Sequence, residues 1–481
     1  MRLPCLLFMT AVVDLCQGGE YFRSIPGLVS LLPTEKALIV AMKRHIEQCE
    51  HTWRRSALVS PPQHLELLDV PSSPSETQPA APVLLRFLRL SVLQSAADVL
   101  GSVRCPRPLV ETGLLAWPTE DDVDGAAANV CRLQKAYSLS AAEVIATQCS
   151  SVLADNLSPD DALSLGVHCS RCEPSAAAHW VKLGEDQRYA DFFHYHLAEL
   201  ESSAPKANST SWRAVVSRPP ETPAMWPYRD AFRENQRYSF PSDTSFGVLC
   251  RDSRDSDTRP SGHLRCWLSS GKHGAATLSP FAVEELSHSE PRLWLVHDFL
   301  SPAECAALRR EAFQLEPALV TEEDGRENEP DTRTAALTWL ESNGTARRVY
   351  QRAAVLTGLT MESAEKLQVL NYAAGGHYNQ HTDPLETEED EGDRLATLLV
   401  YLSEVEQGGS TAFPKANLSI RPRRGSALFW FNLKQEPAVS SRQIDYSTTH
   451  GSCPVLRGSK WIATLWIREW SQPWDLDYSL S

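Results

Sequence analysis

His381-Thr-Asp383 sets an imidazole and a carboxylate two residues apart, so on an extended segment both share a face. His450 follows 69 residues on, and Lys460 lies ten beyond that. Two imidazoles and one carboxylate match the facial triad that holds non-haem Fe(II) with coordination positions left open. Lys460 fits a point-charge partner for the distal carboxylate of a co-substrate. Iron held by His381, Asp383 and His450 would take 2-oxoglutarate through its keto and carboxylate oxygens and leave a place for dioxygen. Such a centre oxidises an unactivated C–H bond, while the protein supplies ligation, orientation and a dry cavity. His-x-Asp alone specifies little, because buried histidines are often structural and lysines usually solvated. The same pair followed by a histidine and a cation in this order specifies much more. His377, four residues before His381, is read as non-ligating.

The elements that must position these residues are strands. Alternating or continuous apolar runs predict strands over Leu293–Val296, Leu367–Tyr372, Leu395–Leu402, Ala427–Phe431 and Trp461–Ile467. On such a strand Lys460 shares a face with Ile462, Thr464 and Trp466. Ser301-Pro-Ala-Glu304 is a capping box with proline at the first helical position, opening a helix through Phe313. A second helix is expected from Ala346 to Leu356. Helices first and strands after, with few crossover helices, predict an antiparallel double-sheet jelly roll backed by helices. Glu386–Asp393 is a charged loop, read as solvated, whose position would also let it rim the expected site.

The rest of the chain is different in character. Its 481 residues allow two to four domains. A net charge of −15, from 46 basic and 61 acidic residues, argues against nucleic-acid binding. Met1-Arg2 followed by Leu3 to Val13 has the look of a secretory signal with cleavage near Gly18. No later run reaches the ~18 apolar residues of a membrane span. Losing Cys5 and Cys16 with the signal leaves ten of twelve cysteines, an even number that permits disulfides. Cys250 and Cys266, bracketing a polar loop, are the best pair. Cys169-x-x-Cys172 reads as a structural pair or two free thiols before a redox or metal motif. Asn208, Asn343 and Asn417 open glycosylation sequons.

Ile39, Met42, Ile46, Cys49 and Trp53 form a heptad stripe on a helix that Thr34 can cap; it serves either its own domain or a partner chain. Pro71 to Pro82 is a linker, Leu84 to Leu100 a second amphipathic helix. A third spans Asp122 to Tyr137, with Val123, Ala127, Val130, Leu133 and Tyr137 on one face. Trp180, Leu183, Tyr189, Phe192, Phe193 and Tyr195 mark a helical hairpin, either core or a stacking surface for proline-rich peptide. Periodicity fades from Trp212 to about Asp257.

At several blocks the sequence resembles the alpha subunits of collagen prolyl 4-hydroxylases. They include Leu367-Gln-Val-Leu-Asn-Tyr372, Gly375-Gly-His-Tyr378, Arg394-Leu-Ala-Thr397, Gly408-Gly-Ser-Thr-Ala-Phe-Pro414, Asp445-Tyr-Ser-Thr-Thr-His450 and Cys453-Pro-Val-Leu-Arg-Gly-Ser-Lys-Trp461. The resemblance is strongest over 293–469 and weaker over the rest. It implies an α+β multidomain chain, all-helical at the N-terminus and ending in a double-stranded β-helix oxygenase domain. The implied divisions are a signal (1–18), a helical dimerisation domain (19–138), a shortened tetratricopeptide-like peptide-binding domain (139–245), a linker (246–290) and the dioxygenase domain (291–472). By position, Tyr372, Thr411 and Lys460 would contact 2-oxoglutarate, while Tyr378, Arg394 and Trp466 would line the peptide channel. Fe(II), 2-oxoglutarate and L-ascorbate are the implied cofactors. Protein disulfide isomerase and a second alpha subunit are the implied partners, in the endoplasmic reticulum lumen. The implied reaction is 4-hydroxylation of proline in X-Pro-Gly sequences. Alternatives are the same chemistry on another proline-rich secreted protein, or a weakly active peptide-binding subunit. Two departures bear on turnover: Arg468 stands where the family has a histidine near co-substrate and peptide, and Cys453 finds no partner in the short C-terminal tail.

Overall fold

The computed structural model describes residues 120–148, the helix Pro174–Leu183 with a few positions before it, and most of 240–480. The heptad stripe, the linker at 71–82, the helix at 84–100 and most of the aromatic hairpin lie outside the described residues.

Two antiparallel sheets face each other. The larger has nine strands, in spatial order Cys266–Ser269, Phe281–Ser287, Leu293–His297, Ala427–Phe431, Arg394–Tyr401, Lys460–Arg468, Leu367–Tyr372, Ala336–Leu340 and Glu316–Pro317. The smaller has five: Leu418–Ile420, Thr411–Phe413, His450–Ser452, His377–His381 and Arg333–Thr334. This is a sheet-rich fold consistent with a jelly roll. The period of two in the strand sequences sorts the two cores. Trp461, Ala463, Leu465 and Ile467 pack outward against the helices Pro302–Glu311 and Ala346–Thr357, together with Leu308, Val349 and Leu356. Ile462 faces inward with Leu370, Leu399, Tyr401, Phe413 and Trp430, between the sheets.

The capping box at Ser301 forms in both directions, and the helix ends at Glu311. The Glu304 carboxylate that closes it also takes Arg348 and Arg352 from the second helix, at 3.1 and 2.9 Å. The two helices are thus tied by a mostly buried carboxylate before they meet the sheet.

The expectations for the 246–290 stretch and for the cysteines are corrected. The stretch read as a linker, 246–290, carries the helix Ser245–Asp252 and two strands of the large sheet. Its periodicity is hard to read because the strands are short and one sits at the sheet edge. Cys250 bonds not to Cys266 but to Cys453, which therefore has a partner after all, 203 residues away. Cys266 is a free, exposed thiol. Cys169 is bonded to Cys131, so it pairs outside its own C-x-x-C. Sequence proximity suggested the wrong partner because pairing follows the approach of Cα atoms in space.

The helix expected over Asp122 to Tyr137 is observed as Glu120–Tyr137. It packs on the two-sheet domain: Arg132 Nη1 donates to the Gly375 carbonyl at 2.9 Å and the Tyr137 hydroxyl to the Pro454 carbonyl. These two turns precede and follow the strands that carry His381 and His450. Gly375 has φ 82°, and a Cβ there would lie 2.4 Å from Asn129 Cβ on the helix, so only glycine permits this approach. Ser245–Asp252 presses on the same region. A Cβ on Gly451 would meet Phe246 at 2.6 Å. Removing the Cys250–Cys453 crosslink with Cys250→Ser is expected to lower stability by roughly 2–5 kcal/mol, read as a reduced urea midpoint by circular dichroism. An unchanged midpoint would show that packing alone holds the helix.

Candidate active site

His381 ends one strand of the small sheet and His450 begins its neighbour, and the two are direct cross-strand partners. A register shift between Tyr378 and His381 lets the strand deliver His381 and then turn Asp383 back towards it. The imidazole centroids lie 4.4 Å apart. Asp383 Oδ1 stands 3.8 Å from His381 Nε2 and 3.9 Å from His450 Nε2. Those gaps exceed a hydrogen bond but are less than two metal–ligand bonds of about 2.1 Å end to end. One donor atom from each residue falls within 4.8 Å of the others.

Each histidine has its tautomer set by the backbone. His381 Nδ1 lies 2.8 Å from the Asn379 carbonyl and His450 Nδ1 3.0 Å from that of Thr448. A carbonyl oxygen only accepts, so Nδ1 carries the proton and Nε2 presents its lone pair to the site. Tyr378 stacks on His381 at 3.7 Å, and Phe413 and Trp430 enclose His450. Burial, reinforced by His450, pushes His381 down to about 3, so the ring is neutral as a ligand must be. Burial acts to raise Asp383, but His450, His381 and the Thr397 hydroxyl outweigh it and hold the carboxyl below its ordinary range. His377 is fully buried, edge-on to Phe240, and outside the donor set.

Lys460 is paired in register with Tyr372 on the large sheet and reaches across to the small one. Its Nζ donates to Ser452 Oγ at 2.8 Å and Thr411 Oγ1 at 3.3 Å. It is 0% exposed, and burial pulls its amine down to about 7. A buried amino group whose hydrogen-bond partners are the neutral hydroxyls of Ser452 and Thr411, beside the Tyr372 and Tyr401 rings, can take an anion as its counter-charge. Thr411 also accepts from the Tyr401 hydroxyl at 2.8 Å, which leaves its own proton free to donate. Burial raises the Tyr372 phenol to about 12, keeping it protonated.

His381, Asp383, His450, Lys460, Tyr372, Thr411, Tyr378 and Trp466 all line one pocket. Ile462, Thr464 and Trp466 continue the Lys460 face. Arg394 does not line it. Its guanidinium lies 3.7 Å over the Trp466 ring and is bonded twice to Glu365, at 2.7 and 2.8 Å. Arg468, at the end of the strand, also joins Glu365, at 2.8 Å, rather than entering the pocket. Arg333, Ser452, Thr397 and Trp430 line the pocket and were not singled out from sequence. Thr397 had a signal: a polar residue inside a buried apolar strand.

Residues 367–468 match the 2OG-Fe(II) oxygenase superfamily. Prolyl 4-hydroxylase subunit alpha-1 of Rattus norvegicus is 34% identical over 253 residues, 50% of this chain and 46% of that protein. Against it, the chain therefore spans about half the relative's length. Prolyl 4-hydroxylase subunit alpha-2 of Gallus gallus is 28% identical over 543 residues, covering 97% of this chain and 96% of that one. A solved viral collagen prolyl hydroxylase from Paramecium Bursaria Chlorella virus-1 is 27% identical over 37% of this chain and 95% of its own, with a TM-score of 0.29. No helix among the described residues is long and apolar enough to cross a membrane. The sheet pair that encloses the pocket is thus similar to the 2OG-Fe(II) oxygenase superfamily over 367–468, in a chain similar to prolyl 4-hydroxylase alpha subunits.

Proposed function

We propose that this chain is a prolyl 4-hydroxylase alpha subunit that hydroxylates proline in collagen-like X-Pro-Gly sequences with Fe(II), dioxygen, 2-oxoglutarate and ascorbate. The observation that carries this reading is the convergence of His381, Asp383 and His450 beside the buried ammonium of Lys460, in a domain related to such subunits. His381 Nε2, His450 Nε2 and Asp383 Oδ1 would hold the iron. When bound, iron with 2-oxoglutarate and dioxygen would supply the oxidant for an unactivated C–H bond, one oxygen atom going to the hydroxyl product and the other to succinate, with carbon dioxide released. Lys460, with the Thr411 and Tyr372 hydroxyls, would hold the far carboxylate and so fix how the co-substrate lies. The apolar walls, Leu370, Leu399 and Ile462, exclude water from that end. Tyr378 and Trp466 would meet the peptide, with Arg394 acting through the Trp466 ring it covers.

The wider organisation is part of the same proposal. A signal over 1–18, a dimerisation region and a tetratricopeptide-like region before the oxygenase domain, and assembly with protein disulfide isomerase in the endoplasmic reticulum lumen follow from kinship with the alpha subunits. The exposure of Asn343 and Asn417 and two disulfides agree with an oxidising, glycosylating compartment. The test is co-expression with a disulfide isomerase, then incubation with a Pro-Pro-Gly repeat peptide and all cofactors. Hydroxyproline with matching succinate is expected. Succinate without hydroxyproline would overturn the collagen-like substrate, and neither product from assembled protein would overturn the catalytic role.

A further inference from the structure

Behind Asp383 runs a chain of hydrogen bonds with a defined direction. The Trp430 indole N–H can only donate, and it does so to Asn432 Oδ1 at 2.7 Å. That contact fixes which end of the Asn432 amide is which, so Nδ2 faces Thr397 Oγ1 at 2.8 Å. The Thr397 hydroxyl therefore accepts from Asn432, and its single proton points to Asp383 Oδ2 at 2.6 Å. Trp430 and Asn432 are fully buried, and Thr397 and Asp383 nearly so. The chain crosses two neighbouring strands of the large sheet, on which Thr397 and Trp430 are paired in register. Asp383 itself sits in a bend beyond its strand, where no ladder fixes its side chain.

We propose that the Trp430–Asn432–Thr397 chain is a positioning device that occupies one oxygen of Asp383 and leaves the other alone to ligate metal. Oδ2 is engaged by Thr397, while Oδ1 is the oxygen that faces both imidazoles. A carboxylate freed from Thr397 could turn and offer both oxygens, closing a position that co-substrate or dioxygen needs. This rests on the metal-binding reading above. Thr397, Asn432 and Trp430 act through Asp383 and need not touch substrate; they belong to the class of outer partners whose loss typically costs about ten- to a hundredfold in metal affinity.

The test is titration of the full chain with Co(II), following its visible absorption, with near-ultraviolet circular dichroism to establish that each variant is folded. Thr397→Val keeps the side-chain shape and removes the proton. It is expected to weaken Co(II) binding by about ten- to a hundredfold and to change the intensity of the Co(II) bands. Thr397→Ser is expected to restore both. Asn432→Asp gives an independent reading with Thr397 intact. Its carboxylate would draw the Thr397 proton away from Asp383, producing the same loss even if Thr397→Val does not fold. Wild-type affinity and spectrum in folded Thr397→Val would overturn the positioning role. Failure of the unaltered chain to bind Co(II) would instead overturn the metal-site reading on which it stands.

Discussion

Replacing Lys460 with methionine is expected to weaken 2-oxoglutarate binding by about two to four orders of magnitude while leaving metal binding in place. The unbranched methionine side chain is one atom shorter and apolar, so the pocket keeps its walls. What is lost is the cation, and a co-substrate carboxylate would then be buried against Thr411, Ser452 and Tyr372 with no counter-charge. Breaking one half of a buried charge pair costs roughly 3–5 kcal/mol, which is where the expected loss comes from. The same residue predicts a pH dependence. In the ligand-free protein burial holds its amine at about 7. Binding a carboxylate favours the ammonium, so above that pH binding must take up a proton. Affinity is therefore expected to be level below about pH 7 and to fall by up to tenfold per unit above it. Calorimetric titration between pH 6 and 9, in buffers of different protonation enthalpy, reads both the slope and the proton. Level affinity without proton uptake would mean that Lys460 stays charged on its own or does not meet the ligand.

The second large effect belongs to the triad. His381→Ala, His450→Ala or Asp383→Asn is each expected to remove bound metal and to take hydroxylation below detection. Losing a ligand should exceed the ten- to hundredfold typical of groups behind the ligands, so more than a hundredfold in affinity is expected. Metal content after dialysis against Mn(II) measures this without relying on turnover. His381 and His450 are cross-strand partners, so each variant removes one side of the site and leaves the sheet intact. Retention of metal by folded His381→Ala would implicate another donor, and His377 on the same strand would be the first to examine.

The contrast between what could and could not be read from sequence follows from the range of each signal. Strand positions were legible because alternation is local: Leu367–Tyr372 and Ala427–Phe431 fall where the apolar runs end. The shared face of Lys460, Ile462, Thr464 and Trp466 followed from the same period. The Cys250–Cys453 bond was not legible, because it depends on a helix that reads as irregular chain and docks 203 residues away. Nor was the Thr397–Asn432 contact, since it exists only because two strands are neighbours in the sheet. Arg468 shows how position along a strand can mislead: it shares the Lys460 alternation, but Glu365 draws it out of the pocket.

Anaerobic addition of Fe(II) and 2-oxoglutarate to the intact chain tests the central claim most directly. If His381, Asp383 and His450 hold iron with room for a chelating co-substrate anchored at Lys460, a visible charge-transfer band appears only when both are present. It should saturate at one iron per chain and vanish in His381→Ala. A folded chain that shows no band with both components, or one whose band survives that substitution unchanged, would contradict the account.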